Sequence, residues 1–350
     1  FFYFLVFIAS LQGCINNGTE LLKIGAILPL TGPAAQMGLE MQRGQLLAQE
    51  FWNNNISKFQ TPKIELLIED SKSSPKDALS AYMKLRSQNV NIFTANLSSV
   101  CLALIPKVAE EDILLFADAA HPAITKNPNP RIFRNSSTSE LEAFEISKSI
   151  MKNNLSRISI LYNNDEYGLG FFNELQNILK TKMDITEISF DTNIQDYRQI
   201  SLKALRNNPE AIIIVGIGKS IGLLIQSLRT LDYKGDIYVN IGYLLTGGRA
   251  TAGNARKGIY YTEMQVPITN AGKWAEIEYE NRYKKPIPSE ALLEFNTISL
   301  IVFASINTSL TPHEISNNMN SAVNELLGSG RLNSKGDILP NMVINVDECN

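Results

Sequence analysis

The sequence predicts an α/β protein built from two doubly wound lobes, each a mostly parallel sheet covered by helices on both faces. Two observations predict this class. Short strand-like runs alternate with helical patterns from Lys23 to about residue 130, and the alternation restarts at residue 157. The runs are continuously apolar, as expected for parallel strands buried on both faces. The chain of 350 residues is long enough for two such domains.

The first series contains the strand-like runs "KIGAILPL", "KIELLIED", "NIFTANL" and "ILLFADA". A helix is expected after the first run, from about Leu39 to Trp52. The next helix should begin at Ser74-Pro75, because serine is a good N-cap and proline suits the first helical position. On that helix Leu79, Tyr82 and Met83 fall on one face, which we expect to face the core.

The second series contains "RISILYNN" (157–164), "ITEISFD", "AIIIVGI", "DIYVNIG" and "GIYYTEMQV". Helices are expected near 271–285, 289–309 and 313–327. The segment "SLIVFASI" in the second of these helices is strongly apolar but short, and Glu294 lies in the same helix. A buried core helix is therefore favoured over a membrane span.

Two Rossmann-like lobes joined by three hinge crossovers account for the restart of the pattern. The candidate crossovers are "RIFRNSSTS" (131–139), "TEMQVP" (262–267) and the stretch near Arg331–Lys335. Three crossings make both lobes discontinuous in sequence. The expected bounds are 22–134 plus 265–332 for lobe 1, and 135–264 plus 333–350 for lobe 2. Such a pair of lobes opens and closes over a ligand by hinge motion.

The stretch "AIIIVGIGKSIG" (211–222) looks like a phosphate-binding loop, but the motif is incomplete. A P-loop requires G-x-x-x-x-G-K-[ST], and counting back from Gly218-Lys219-Ser220 places Ile213 where the first glycine belongs. The dinucleotide motif G-x-G-x-x-G is also incomplete, because Ile221 stands in place of its third glycine. We interpret the stretch as an ordinary strand-to-helix turn that faces the ligand crevice.

Composition excludes several classes of function. A net charge of −3 leaves no basic footprint for nucleic acid. The two histidines, His121 and His313, are too few for a histidine metal centre, and no acid, base and nucleophile set can be assembled, so we expect neither an enzyme nor a cofactor. His121 is either a general base or a loop residue before Pro122, and the second interpretation is favoured. The adjacent Asp165 and Glu166 are expected to be solvated surface charges.

The N-terminal run "FFYFLVFIASLQGC" has the character of a secretory signal segment over residues 1–13. Leu11-Gln12-Gly13-Cys14 resembles a bacterial lipobox, in which the cysteine receives lipid and becomes the first mature residue. The alternative is a buried N-terminal strand or helix. Export with lipid attached at Cys14 is favoured. Cys101 and Cys349 then remain, and they form either one disulfide or, as we favour for Cys101 in its apolar helix, a buried free thiol.

Loops at the carboxyl ends of the strands should face the crevice between the lobes. They are 30–38, 95–100, 117–125, 163–168, 215–220 and 240–243. Ser98 and Ser99 stand where a strand passes into an apolar helix, so they either cap that helix or bind a carboxylate with its amide groups; spacing alone favours the cap. Tyr167 either covers a ligand with its ring or packs.

Several blocks of the sequence, in order, resemble type I periplasmic solute-binding proteins, specifically the leucine/isoleucine/valine-binding family that serves ABC importers. The blocks are "IGAILPLTGPAAQMGLEMQRG", "IELLIEDSKSSPKDA", "ANLSSVCLALIPKVAEE", "HPAIT", "ILYNNDEYGLG" and "GIGKSIGLLIQSLRTLDYKGDIYV". No block is specific alone, but their order covers nearly the whole mature chain. The resemblance implies a small polar ligand clamped between the lobes.

The resemblance also implies which residues contact that ligand. The ligand carboxylate is expected at Ser98 or Ser99 and at the loop after the next strand. The full implied set is Met37, Ser98, Ser99, Asp118, Ala119, Ala120, Tyr167, Ile217 and Ile241. Two positions depart from the family pattern: Ala120 replaces the usual threonine, and Ile241 replaces the acid that pairs with an α-ammonium. Either Asp118 supplies the missing negative charge from the other wall, or the ligand lacks an amine.

The implied function is an extracytoplasmic, lipid-anchored receptor that delivers a small ligand, such as an amino acid or a related carboxylate or amide, to an ABC permease. The expected partners are the ligand and the permease subunits, with no nucleic acid, membrane contact only through the lipid, and a monomeric state. The alternative is a ligand-sensing or envelope-regulatory protein of the same fold without a transport role.

Overall fold

A computed structural model describes residues 21–153, 155–191 and 196–348 of the chain. The expectations for the signal segment, for lipid on Cys14 and for pairing of Cys349 fall outside these residues. The described chain forms two sheets with helices on both faces, which confirms the predicted α/β class with two doubly wound lobes.

The first sheet is entirely parallel, with strand order β2-β1-β3-β4-β5. Its strands are β1 (Leu21–Leu28), β2 (Lys63–Asp70), β3 (Ile92–Asn96), β4 (Leu114–Asp118) and β5 (Ile132–Phe133). The second sheet has the order β11-β10-β9-β8-β6-β7, and only β11 runs antiparallel to its neighbour. Its strands are β6 (Arg157–Asn163), β7 (Asp184–Phe190), β8 (Ala211–Val215), β9 (Asp236–Val239), β10 (Ile259–Gln265) and β11 (Asn341–Val346).

Helices connect the strands and cover both faces of each sheet. Those before β6 are α1 (Ala35–Asn54), α2 (Ile56–Phe59), α3 (Pro75–Arg86), α4 (Ser98–Glu110) and α5 (Ser139–Lys152). Those between β6 and β10 are α6 (Glu166–Leu179), α7 (Tyr197–Ala204), α8 (Lys219–Thr230), α9 (Gly242–Leu245) and α10 (Gly248–Ala252). The last three are α11 (Asn270–Tyr283), α12 (Ser289–Ala304) and α13 (Pro312–Leu326).

The two sheets share one topological feature that places the site. In each, the strand order reverses beside the first strand: β1 lies between β2 and β3, and β6 lies between β7 and β8. Loops at such a switch point diverge, because the following helices cover opposite faces of the sheet, and they leave a crevice beyond the carboxyl ends of the strands. The loops after β1, β3, β6 and β8 therefore form the most open part of each lobe.

The C-terminal helices belong to the core of the first sheet although they follow the second sheet in sequence. Helices α11, α12 and α13 share one apolar cluster with β1 and α1; its members include Trp52, Tyr279 and Phe295. Trp52 donates a hydrogen bond from Nε1 to Ser299 Oγ at 2.9 Å across this cluster. Helix α1 approaches α12 so closely that a Cβ on Gly44 would lie 1.9 Å from Ala291 O, so this crossing requires glycine.

The apolar helix predicted around "SLIVFASI" is α12, and nearly all of its side chains are buried in the core, as predicted. Within the described part of the chain, we find no helix with both the length and the hydropathy needed to cross a bilayer. The predicted cap of α3 is also confirmed, because Asp77 N donates to Ser74 Oγ at 3.4 Å.

Two local predictions need correction. On α3 the buried residues are Ala78, Ala81, Tyr82 and Leu85, whereas Met83 is 62% exposed, so the predicted stripe of Leu79, Tyr82 and Met83 is wrong by part of a turn. Small alanines define this face, and a search for large apolar residues overlooks them. Strand β11 was not predicted, because it is a partly exposed edge strand with a weak apolar pattern.

Candidate functional site

A cavity of about 120 Å³ lies between the two sheets, beyond the carboxyl ends of their strands. Its wall takes residues from both lobes, including Met37 and Ser98 from one side and Tyr167 and Ile241 from the other. All nine residues named from the sequence lie in this wall: Met37, Ser98, Ser99, Asp118, Ala119, Ala120, Tyr167, Ile217 and Ile241. The structure thus brings together positions that are up to about two hundred residues apart.

The lobes contact each other directly at the border of the cavity. Gly218 lies against the first-lobe loop, since a Cβ there would be 3.3 Å from Pro33 O. Gly247 lies against Gln36 in the same way, with a Cβ-to-Oε1 distance of 2.8 Å. At a third contact between the lobes, a Cβ at Gly170 would lie 2.5 Å from His121 Cδ2. Glycine at these positions lets the two lobes meet beside the cavity.

The start of helix α4 forms one polar part of the wall. Ser98 is the first helical residue, and the preceding Leu97 occupies the N-cap position with φ 72° and no side-chain cap bond. The expectation that a serine caps this helix is therefore wrong. Ser98 is 3% exposed, and its Oγ has no hydrogen-bond partner in the described chain. A buried hydroxyl without a partner costs about 1–3 kcal/mol, and a ligand atom would relieve that cost.

Asp118 ends β4 and contributes a carboxyl group to the wall. Asn96 Nδ2 donates to Asp118 Oδ2 at 3.1 Å and also to Glu294 Oε1 at 3.0 Å, so the two acids lie side by side behind the cavity. Burial raises the pKa of both carboxyls, and the charge of Asp118 raises that of Glu294 further. At neutral pH Glu294 therefore keeps its proton, and the pair carries one negative charge.

The packing role considered for Tyr167 is confirmed, and its role in covering a ligand stays a prediction. Tyr167 lines the cavity, and its ring also packs edge-on against Phe171 with the centroids 6.0 Å apart. Asn240 Nδ2 donates to the Tyr167 hydroxyl at 2.6 Å and so fixes the ring. Burial raises the pKa of this phenol well above its ordinary value, so the hydroxyl stays neutral.

Ile241 occupies the position where the family pattern expects an acid, but its side chain packs in an apolar cluster with Met264 and Leu293. A carboxylate reaches the same place from helix α5. The N–H of Ile241 donates to Glu142 Oε2 at 2.9 Å, and Thr262 Oγ1 donates to the same oxygen at 2.7 Å. Glu142 lines the cavity and is fully buried. This residue was not predicted from the sequence.

Other lining residues were also missed. Those with polar side chains are Ser73, Ser136, Ser137, Glu142, Thr246 and Glu290. Asp165, expected to be a solvated surface charge, lines the cavity while its Oδ1 caps α6 by accepting from Gly168 N at 2.8 Å, so that expectation is wrong. The neighbouring Glu166 is exposed, as expected.

The glycine-rich turn after β8 is not a phosphate cradle. Gly216 N donates to Asn240 Oδ1 at 2.9 Å, and Gly218 N donates to Thr246 Oγ1 at 2.6 Å. Because side chains of the same lobe already occupy these amides, they are not free to bind phosphate. Ile217, between them, contributes an apolar side chain to the wall.

His121 and Cys101 are structural. His121 Nδ1 accepts a hydrogen bond from Ala123 N at 3.1 Å and caps a short 3₁₀ turn, and burial lowers the pKa of its ring. It does not line the cavity, which supports the loop interpretation over a general base.

Cys101 is a buried free thiol whose Sγ donates to Ala95 O at 3.3 Å, as favoured from the sequence.

Two doubly wound lobes that enclose a polar-lined cavity define a class of hinged ligand-binding proteins. The family profile "Periplasmic binding protein" matches residues 22–308, and the chain belongs to this family. The family consists of solute-binding proteins, not enzymes, and membership implies an extracytoplasmic location.

Individual members of this family resemble the chain in sequence or in structure. The chain is 22% identical over 276 residues to Leu/Ile/Val-binding protein homolog 3 of Brucella melitensis, covering 77% of this chain and 74% of that protein. The crystal structure of the leucine-binding protein LivK from Thermotoga maritima superposes with a TM-score of 0.82 at 21% identity, covering 93% and 95% of the two chains. LivJ of Streptococcus pneumoniae, solved with isoleucine, gives a TM-score of 0.81 at 18% identity, covering 94% and 97%. These structural likenesses establish the fold.

Proposed function

We propose that this protein is an extracytoplasmic receptor that encloses one small polar solute between its lobes and presents it to the permease of an ABC importer. The observation that carries the proposal is the cavity between the lobes, whose wall draws polar and apolar side chains from both. A closed, mostly apolar pocket with a few fixed polar groups is the usual form of a small-molecule site. The names of the relatives, which are amino-acid-binding proteins, agree with a solute of that size.

Binding is proposed to occur by hinge closure. Each lobe supplies part of the wall, so the ligand has its full set of contacts only when the lobes meet, and it shifts the population toward the closed state. The moving bodies proposed here are residues 22–134 with 265–332, and residues 135–264 with 333–350. The permease then distinguishes loaded from empty receptor by the surface that closure creates.

Thermal denaturation and solution scattering test the function. A ligand at one hundred times its Kd stabilises the folded state by about 2.7 kcal/mol, which is a measurable rise in Tm. We expect at least one small amino acid, carboxylate or amide to raise the Tm of the mature protein and to reduce its radius of gyration in X-ray scattering. A broad panel of such solutes that changes neither quantity at millimolar concentration would refute the receptor function.

Export and anchoring are proposed from the sequence motif alone. The apolar segment 1–13 is taken as a signal, and Cys14 as the lipid attachment site. The mature protein is proposed to be a monomer. Mass spectrometry of the membrane fraction should find a diacylglyceryl group on Cys14 and none in a Cys14→Ser variant, and light scattering should give the mass of one chain. An unmodified Cys14 in that fraction contradicts the anchor.

A further inference from the structure

The charges that line the cavity are all acidic. Of the lining residues within the described chain, four carry carboxyl groups and none is Lys, Arg or His. The four acids are Asp118, Glu142, Asp165 and Glu290. Removing a carboxylate from water without a cationic partner costs several kcal/mol. The wall therefore favours a ligand that brings positive charge, and the question is which acid receives it.

Glu142 is held in the wall by three neutral donors from three parts of lobe 2. Ile241 N and Thr262 Oγ1 donate to its Oε2, and Ser137 Oγ donates to Oε1 at 3.2 Å. A carboxylate has about four acceptor sites, so Oε1 retains capacity for another donor. No Lys or Arg in the described chain pairs with Glu142. Burial raises the pKa of Glu142, and the same three donors lower it in part.

Asp118 is a weaker candidate for the same role. Its carboxyl group hydrogen-bonds to Asn96 and Ser136 and is coupled to Glu294. The single negative charge of that pair is already stabilised by a shared proton and two neutral donors. A ligand cation would have to compete with this internal arrangement.

The remaining two acids also have partners within the protein. Asp165 caps the first turn of α6 through Gly168 N. Glu290 lies near both Glu40 and Lys285; burial, followed by the charge of Glu40, raises its pKa to about 7, so it is partly protonated at neutral pH. Of the four lining acids, Glu142 is the one that is fully buried, is held by three donors and shares no proton with a second acid.

Resting on the proposed function, we propose that the ligand carries a protonated amine and that Glu142 binds it, in place of the acid that the family pattern expects at Ile241. The backbone of Ile241 still marks the position, because its N–H orients the Glu142 carboxylate. The unpartnered Ser98 hydroxyl lies in the same cavity wall and is available to the other polar end of the ligand. The resemblance alone left open whether the ligand has an amine. The position of Glu142 favours a ligand that has one.

Matched probes test this on the wild-type protein. Alanine, valine, leucine and phenylalanine are compared by calorimetry with propanoate, 3-methylbutanoate, 4-methylpentanoate and 3-phenylpropanoate, which lack the amine. 3-Methylbutylamine and 2-phenylethylamine provide the amine without the carboxylate. We expect at least one amine-bearing probe to bind and its deaminated partner to bind at least tenfold more weakly. A deaminated acid that binds as tightly as its partner overturns the inference while leaving the receptor function intact.

A variant locates the effect. Glu142→Gln keeps the size of the side chain and should weaken the amine-bearing probe at least tenfold, with little change for a carboxylate-only probe. Glu145→Gln on the same helix, where Glu145 pairs with Lys148 on the surface, is the matched control and should change neither. Unchanged amine affinity in Glu142→Gln refutes the assignment. If that variant fails to fold, the wild-type comparison still decides whether the amine is required. If no probe binds while another small solute raises the Tm, this inference fails and the receptor function stands.

Discussion

At the scale of single residues, Ser98 combines a buried hydroxyl without a hydrogen-bond partner in the described chain and a position in the cavity wall. Ser98 is buried at the start of α4 and makes no hydrogen bond, and Leu97 before it has a positive φ that is costly for a residue with a side chain. Neither feature stabilises the local structure. Both are explained if the backbone is shaped to present the hydroxyl and the first amides of α4 to a ligand.

Ser98→Ala tests this interpretation. The variant loses no hydrogen bond within the protein, so the free energy of unfolding should stay the same or rise slightly, while affinity for a ligand found by thermal shift should fall about tenfold. Urea denaturation and calorimetry measure the two effects. Ser220→Ala is the matched control in lobe 2, because Ser220 Oγ donates to Ile217 O at 2.8 Å; it should lose about 1 kcal/mol of stability. A large loss of stability in Ser98→Ala would assign Ser98 to packing.

Glu294 gives a prediction on pH. Burial, followed by the charge of Asp118, raises its pKa to about 8 from an ordinary value of 4.5. Between these values the folded chain binds more protons than the unfolded chain, so the free energy of unfolding should fall as pH rises through this window. Glu294→Gln, which resembles the protonated acid, should flatten the decline in Tm between about pH 5 and pH 8.5.

The exposed Glu325 on α13 provides the control for that experiment. Glu325→Gln removes one charge without touching the pair behind the cavity, and its Tm should follow the wild-type pH profile. Parallel profiles for Glu294→Gln and the wild type would show that the pair does not carry the raised pKa assigned to it.

At the scale of elements, glycines set how closely helices approach the opposite lobe. Helix α6 carries Gly170 at the point where it meets His121 of lobe 1. Alanine is the better helix former by about 1 kcal/mol, so local propensity does not explain glycine here. The 2.5 Å separation between a Cβ at this position and the imidazole does explain it.

Gly170→Ala should therefore leave the ligand-free protein as stable as the wild type, or slightly more stable, and yet reduce ligand affinity about tenfold by holding the lobes apart. Calorimetry with the same ligand measures the loss, and X-ray scattering should show incomplete compaction. The double variant Gly170→Ala/His121→Ala removes the obstructing ring and should restore closure. If affinity is unchanged in Gly170→Ala, the lobes close without this contact.

At the scale of the whole molecule, an ion pair joins two of the three connections between the sheets. Arg134 follows β5, and Asp337 lies between α13 and β11; Arg134 Nε donates to Asp337 Oδ1 at 2.8 Å, and both side chains are buried. Arg134 also donates from Nη1 to Ala119 O at 3.3 Å, in the loop that lines the cavity. Arg134 thus links two connections between the sheets to the loop that lines the cavity.

Asp337→Asn should destabilise the protein by about 3 kcal/mol, because the buried guanidinium keeps its desolvation cost and loses its counter-charge. Urea denaturation measures the change. The pair of half-buried Arg131 and exposed Asp112 is the comparison, and Asp112→Asn should cost less than about 1 kcal/mol. Equal small effects of the two variants would mean that the buried pair has no special role in holding the connections together.

Much of this organisation was predictable because it depends on local pattern. Runs such as "AIIIV" indicate buried parallel strands, and the loops that follow such runs lie at the crevice. The loops 30–38 and 240–243 were predicted to meet on this ground, and the family resemblance then pointed to Met37 and Ile241 within them. Met83 shows the limit of the approach, since its exposure depends on which helix face the neighbouring α4 covers.

The sequence by itself determined the class of fold, the order of the strands along the chain and the loops that reach the cavity, because hydrophobic periodicity and turn residues act over a few positions of the chain. Only the tertiary structure decided the charge of the site. An acid in the first turn of α5, such as Glu142, is locally no more than a complement to the helix dipole. It becomes part of the cavity wall only because folding brings Ile241 and Thr262, 99 and 120 residues further on, against its carboxylate.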